Sequence, residues 1–125
     1  MINKDTTVLI VDDVENNIFA LTCYLETLDV NVLVAKNGVE AITLLQEGAK
    51  PDVILLDMMM PVMDGYETLK VLKELPFAQH IPVIAVTARA MKGDKEKCLE
   101  AGAWDYISKP IDLRLLNEKL SKLIG

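Results

Sequence analysis

Asp52-Val53-Ile54-Leu55-Leu56-Asp57-Met58-Met59-Met60-Pro61 is the stretch on which the reading of this chain turns. Its four apolar residues, Val53–Leu56, are uninterrupted and are bounded by an aspartate on each side. A run this short is too brief for a helix, and it lacks the alternation of a half-buried strand. It reads as a strand covered on both faces, the kind found inside parallel sheets with helices packed above and below. Asp57 then stands at the carboxyl end of a central strand.

The same grammar repeats on either side. Short strand-like runs occur at Thr7–Val11, Asn31–Ala35, Val83–Val86 and Tyr106–Ser108. Between them the apolar residues take helical spacing: Ile18, Leu21, Leu25 and Leu28; Ala41, Leu44 and Leu45; Leu69 and Leu72; and Leu113, Leu116, Leu120 and Leu123. Asp94–Ala101 favours helix but is more polar. Gly38 and Gly65 are placed just before helices, and Gly48 and Gly102 just after them. Strand and helix therefore alternate five times. That pattern predicts an α/β fold with a five-stranded parallel sheet between two helical layers. A chain of 125 residues is the size of one domain. No linker interrupts the pattern, so residues 1–125 are expected to form one domain without an output domain. The initial methionine and compact ends favour a complete protein over a piece of a larger one.

Composition narrows the function. With 51% hydrophobic and 26% charged residues the chain is no disordered tail. A net charge of −6 is the wrong sign for binding duplex nucleic acid or an anionic membrane. No segment approaches the ~20 apolar residues that span a bilayer, and the first residues lack a signal peptide's apolar core. Cys23 and Cys98 read as reduced thiols packed on helices, which fits a cytoplasmic protein.

Charge interrupts the apolar strands only at their carboxyl ends. The first strand ends in Asp12-Asp13, the third in Asp57, the fourth in Thr87 and the fifth in Lys109-Pro110. Open α/β sheets bind ligands at that edge, where the strand order reverses. The order 2-1-3-4-5, common among such sheets, makes the first and third strands neighbours and brings Asp12, Asp13 and Asp57 into one crevice. Three adjacent carboxylates resist ionising together. A hard divalent cation relieves this, and an all-oxygen donor set suits Mg²⁺ or Mn²⁺ better than zinc. A cation beside a lysine and a hydroxyl is a cradle for a phosphoryl group, with Lys109 neutralising oxygens and Thr87 donating a hydrogen bond. Carboxylates such as Asp57 act as nucleophiles in phosphoryl transfer. Taken singly, each residue is unremarked: Asp12 or Asp13 could cap a helix, Asp57 begin a turn, Thr87 end a strand, and Lys109 be a solvated charge. Their convergence is what points to chemistry. Neither a Walker A motif nor G-x-G-x-x-G is present.

These residues resemble the receiver domain of two-component response regulators over essentially the whole chain. The resemblance is carried by Val8–Asp13, by Asp52–Gly65, by Pro82–Ala88, and by Ala101-Gly102-Ala103 with Tyr106–Pro110. It implies a flavodoxin-like (βα)5 fold with strand order 2-1-3-4-5. It implies that Asp57 is the phosphoacceptor. It implies that Asp13, Asp57 and the backbone carbonyl of Met59 bind Mg²⁺ directly, with Asp12 assisting through water. Thr87 and Lys109 would bind the phosphoryl group, Tyr106 would be the switch aromatic, and Lys109-Pro110 would be a cis peptide. The phosphoryl group would come from a histidine kinase or a histidine phosphotransfer protein. A downstream protein would read the face built from the fourth helix, fifth strand and fifth helix. Asp13–Asn17 and Tyr106–Asp112 are most similar to receivers of hybrid sensor kinases and to stand-alone cell-cycle regulators, which often work in phosphorelays.

Some features fall outside that pattern. Trp104 stands where the subgroup more often has a small or acidic residue, either covering the loop or anchoring a partner. His80 reads as a surface residue. Met59 and Arg89 flank the path of an attacking water, and the bulk of Met59 is expected to slow hydrolysis. Two other functions compete: a pseudo-receiver that binds partners without phosphate, and a small metal-dependent phosphatase. The presence of all five key residues argues against the first. The absence of a second acid-base residue argues against the second.

Overall fold

The computed structural model describes residues 5–60, 63–88 and 94–124. In chain order the elements are β1 (Thr7–Val11), α1 (Glu15–Glu26), β2 (Asn31–Ala35), α2 (Gly38–Gln46), β3 (Val53–Asp57), α3 (Gly65–Glu74), β4 (Val83–Thr87), α4 (Asp94–Glu100), β5 (Asp105–Ser108) and α5 (Leu113–Ile124). The five strands are parallel and ordered β2-β1-β3-β4-β5, as the family resemblance implied.

β3 is central. Leu55 pairs with Ile10 of β1 on one side and with Ile84 of β4 on the other. All five of its residues are buried, which explains why its sequence shows no polar alternation. The two-residue period of each strand sorts side chains between the layers. Val8, Ile10, Val53, Leu55, Ile84 and Val86 pack with Leu21 and Leu25 of α1 and Leu116 and Leu120 of α5. Leu9, Val11, Ile54, Leu56, Val83 and Ala85 pack on the opposite face with residues of α2, α3 and α4. By the same period Asp57 leaves β3 on the α1–α5 side, and Thr87 leaves β4 on the other.

Several local expectations change. Gly38 and Gly65 are the first residues of their helices, not the residues before them. The caps are Asn37 and Asp64, whose side chains accept the backbone N–H groups of Glu40 and Glu67 at 2.9 Å. Asp64 and Glu67 form a reciprocal capping box. Leu113 stays exposed although it sits at the helical spacing of Leu116 and Leu120. Position one of a helix overhangs the layer instead of entering it. Cys98 is buried as expected, whereas Cys23 lies on the solvent side of α1. No helix among the described residues is long and apolar enough to cross a membrane.

Candidate functional site

The site forms where β1, β3, β4 and β5 end. Asp57 is only 2% exposed, so its carboxylate must be partnered within the protein. Oδ1 accepts the backbone N–H of Met59 at 3.0 Å, and Oδ2 accepts the Lys109 ammonium at 3.1 Å. The loop after β3 is held in place because the Met58 N–H donates to the Val86 carbonyl at 3.0 Å.

Asp12 is also buried. Its Oδ1 accepts the Val14 N–H at 2.9 Å, and its Oδ2 lies 3.4 Å from the Asn17 side-chain nitrogen. It thus shapes the turn into α1. The N-cap of that helix is Val14, with no side-chain cap bond, so neither Asp12 nor Asp13 has the capping role that each could have had alone. Asp13 is exposed. One oxygen each from Asp12, Asp13 and Asp57 lies within 4.8 Å of the others.

The electrostatics follow. Burial raises the Asp57 carboxyl above its ordinary value; the Met59 N–H and the Lys109 charge oppose the rise, and the Asp12 carboxylate adds to it. Three carboxylates face one ammonium among these groups. The donor set is oxygen only, partly buried and over-supplied with negative charge. It fits a hard divalent cation such as Mg²⁺ or Mn²⁺.

Thr87 ends β4 beside Asp57 in the sheet. It is 5% exposed, and its Oγ1 has no hydrogen-bond partner among the described residues. Buried hydroxyls are rarely left so. The Lys109 N–H donates to the Thr87 carbonyl at 2.7 Å, which ties the two strand ends together. The Lys109–Pro110 peptide bond is cis. Tyr106 is half-buried and packs against the α2–α3–α4 side, two residues before Ser108, the register partner of Thr87. A cavity of about 520 Å³ opens beside the carboxylates, bounded by Asp12 and Lys109 at its polar end and by Leu21, Pro110 and Ile111 along an apolar wall.

Asp12, Asp13, Asp57 and Lys109 are thus brought together, with Met59 contributing its N–H. Met59 itself is 69% exposed, as Trp104 is at 44%. His80 is exposed. Arg89 and the Pro61-Val62 part of the quoted motif lie outside the described residues. Sequence reasoning missed the Asp12–Asn17 contact and the capping box. Asp64-x-x-Glu67 ahead of Leu69 carried the signal for the second. It also missed the pairing of Asp105 with Lys119, for which no local pattern exists.

Residues 8–121 match the family model described as the response regulator receiver domain. The polar-differentiation response regulator DivK of Brucella anthropi is 40% identical over 119 residues, covering 95% of this chain and 96% of that protein. Among solved structures, the receiver domain of the sensor histidine kinase PA1611 from Pseudomonas aeruginosa superimposes with a TM-score of 0.87. It is 33% identical, over 96% of this chain and 98% of that one, and it holds a magnesium ion in its active site cleft. The receiver domain of Ssk1 from Saccharomyces cerevisiae, crystallised with the histidine phosphotransfer protein Ypd1, gives a TM-score of 0.85 at 31% identity, over 94% of this chain and 88% of that one. Carboxylates at the ends of β1 and β3, the lysine after β5 and these likenesses agree: the chain belongs to the response regulator receiver domain family.

Proposed function

We propose that this receiver is a phosphorelay switch in which Asp57 accepts a phosphoryl group from the phosphohistidine of a histidine kinase or histidine phosphotransfer protein. The observation that carries this reading is the ammonium already 3.1 Å from Asp57 Oδ2, with a buried Thr87 hydroxyl at the next strand end that has no partner among the described residues. A phosphoryl group on Asp57 gives both a negatively charged acceptor.

An Asp57 carboxylate oxygen forms the new O–P bond as the N–P bond of the donor breaks. The imidazole leaves with the bonding pair and takes a proton from solvent. Asp13, Asp57 and the Met59 carbonyl, with Asp12 assisting, would hold Mg²⁺ (or Mn²⁺), which supplies positive charge to the transferring oxygens. Lys109 neutralises the same charge from the protein side. The Met59 N–H fixes one Asp57 oxygen and so orients the other. The apolar wall of the adjoining cavity suits a protein donor presenting its histidine from a helical surface. The Ypd1 complex of Ssk1 supports that choice of donor class.

Signalling follows from the same contacts. Drawing Thr87 toward the phosphoryl group vacates space on the side where Tyr106 packs, and the ring of Tyr106 moves in. Shifting a mostly resting population to a mostly switched one needs roughly 5 kcal/mol of differential interaction. Two charge-assisted contacts in a partly desolvated site supply most of that. A downstream protein then reads the α4-β5-α5 face. The chain acts as a cytoplasmic signalling domain, catalysing only its own phosphorylation and dephosphorylation and contacting neither nucleic acid nor membrane. No observation favours the pseudo-receiver reading.

The test is intact mass after incubation with acetyl phosphate and Mg²⁺. One added phosphoryl group is expected, absent with chelator and absent in Asp57→Ala. An adduct that survives in Asp57→Ala would overturn the assignment.

A further inference from the structure

Two ammonium groups from different helices approach the ring of Tyr106. Lys95 Nζ of α4 is 5.9 Å from its centroid, and Lys119 Nζ of α5 is 5.7 Å away. Lys119 is not free to leave, because its Nζ sits 2.7 Å from Asp105 Oδ2, with the two side chains only 18% and 26% exposed. The other oxygen of the same carboxylate, Oδ1, accepts the backbone N–H of Tyr106 itself at 2.7 Å. One carboxylate therefore fixes both the backbone of Tyr106 and the cation on its ring. The strand ahead of it is pinned as well, since the Trp104 N–H donates to the Val83 carbonyl at 2.8 Å.

We propose that Asp105 and Lys119 form a clamp that holds Tyr106 in its unphosphorylated position and so sets the resting balance of the switch. Both are positioning residues, acting through Tyr106 and touching no phosphoryl oxygen. The inference rests on reading Tyr106 as the aromatic that moves with Thr87, whose strand partner Ser108 lies two residues further along β5. When the ring leaves, Lys119 remains on Asp105 and loses its aromatic face. The cation–ring attraction, strengthened by partial desolvation, is thus present in one arrangement and absent in the other. Only such a differential contact can bias an equilibrium between two states. A ligand that prefers the switched state is weakened by the fraction of molecules that must first convert.

The test is the affinity of the whole chain for beryllofluoride, a phosphoryl mimic, measured by calorimetry with Mg²⁺ present. Lys119→Met and Asp105→Asn are expected to bind about three- to tenfold tighter than wild type, the factor expected for losing one such contact from the resting state. Lys119→Arg, which keeps the ion pair and the cation, is expected to match wild type. Trp104, the single tryptophan and 44% exposed, gives a spectroscopic signature. Its emission in the two unliganded clamp variants should shift toward that of beryllofluoride-bound wild type. A purely structural pair would lower the unfolding temperature and leave affinity and emission unmoved. Should Lys119→Met fail to fold, Asp105→Asn carries the test, because its amide oxygen still accepts the Tyr106 N–H. Equal or weaker affinity in the variants, with wild type binding normally, overturns the clamp alone. Failure of wild type itself to bind overturns the phosphoacceptor reading and the clamp with it.

Discussion

Asp57 is both the proposed nucleophile and a source of instability. Its carboxyl is raised above the ordinary range chiefly by burial. The folded chain therefore holds this proton more tightly than the unfolded chain. The associated stability is complete below the unfolded value and is lost as pH rises through the folded one. In the presence of chelator, Asp57→Asn, which carries no carboxylate to bury, should accordingly gain in unfolding temperature over wild type as pH rises. The gap should close in acid, as wild type becomes protonated. A gap that widens in acid would contradict the sign. Met59 presents a different case. It is 69% exposed beside the acceptor, where its apolar bulk would obstruct an attacking water. Met59→Ala should shorten the lifetime of the phosphorylated protein by about tenfold, on the scale of the 1.4 kcal/mol that one decade in rate represents. An unchanged decay of the adduct, followed by mass, would remove that role. The residues of this site were legible because charge at the end of an apolar strand is costly unless it has a use. The state of Thr87 was not legible: a hydroxyl shows itself as unpartnered only once burial and neighbours are known.

α3 is the element on which the acceptor loop depends. Its first residue, Gly65, packs against the loop it follows: a Cβ there would lie 2.5 Å from the Met58 Cα and 2.8 Å from the Asp57 carbonyl oxygen. Neither is the movable end of a side chain. Gly65→Ala must therefore displace the Asp57–Met59 backbone or the helix, at a cost of about 1–3 kcal/mol, the usual range for overpacking. It should also slow phosphorylation, because the Met59 N–H that orients Asp57 moves with that backbone. Denaturant unfolding and the acetyl phosphate assay check the two effects separately, and normal values in both would contradict the packing argument. Asp64→Ala removes the capping box instead. It should cost about 1 kcal/mol with a smaller effect on phosphorylation, since the cap holds the helix end without touching the acceptor. At this scale the strands were read to within one residue. β3 and β4 gain their terminal Asp57 and Thr87, and β5 begins at Asp105. The polar terminal residues were read as ends because periodicity follows apolar side chains, while strands are defined by backbone bonds that any residue makes. The same limit hides the Asp105–Lys119 pair, which joins a strand to a helix fourteen positions away.

At the scale of the molecule, both apolar layers share one sheet, and the site closes its carboxyl edge across β1, β3 and β5. The sheet order followed from the family resemblance, since alternation of strands and helices alone does not order them. Because the two clusters have the same strands in common, unfolding is expected to be one cooperative transition, and binding at the edge should stabilise the whole chain. Asp12, Asp13 and Asp57 bring three negative charges to within 4.8 Å in a chain whose net charge is already −6. Lys109 offsets one of them. A divalent cation that binds only the folded arrangement therefore has a large repulsion to relieve. At a Mg²⁺ concentration ten times its dissociation constant, the gain by mass action is about 1.4 kcal/mol, or roughly 4 °C in unfolding temperature. Screening by simple salt also weakens repulsion, but it acts least on partly buried charges. Sodium chloride at matched ionic strength should thus give a smaller rise, and excess chelator should reverse the magnesium effect fully. Asp57→Asn should respond less to Mg²⁺, having lost both a ligand and the repulsion. Equal stabilisation by the two salts would mean that the acidic edge attracts ions diffusely and holds none. The proposed role of Asp13 and Asp57 as metal ligands would then fall, while the fold and the Asp57–Lys109 contact would stand.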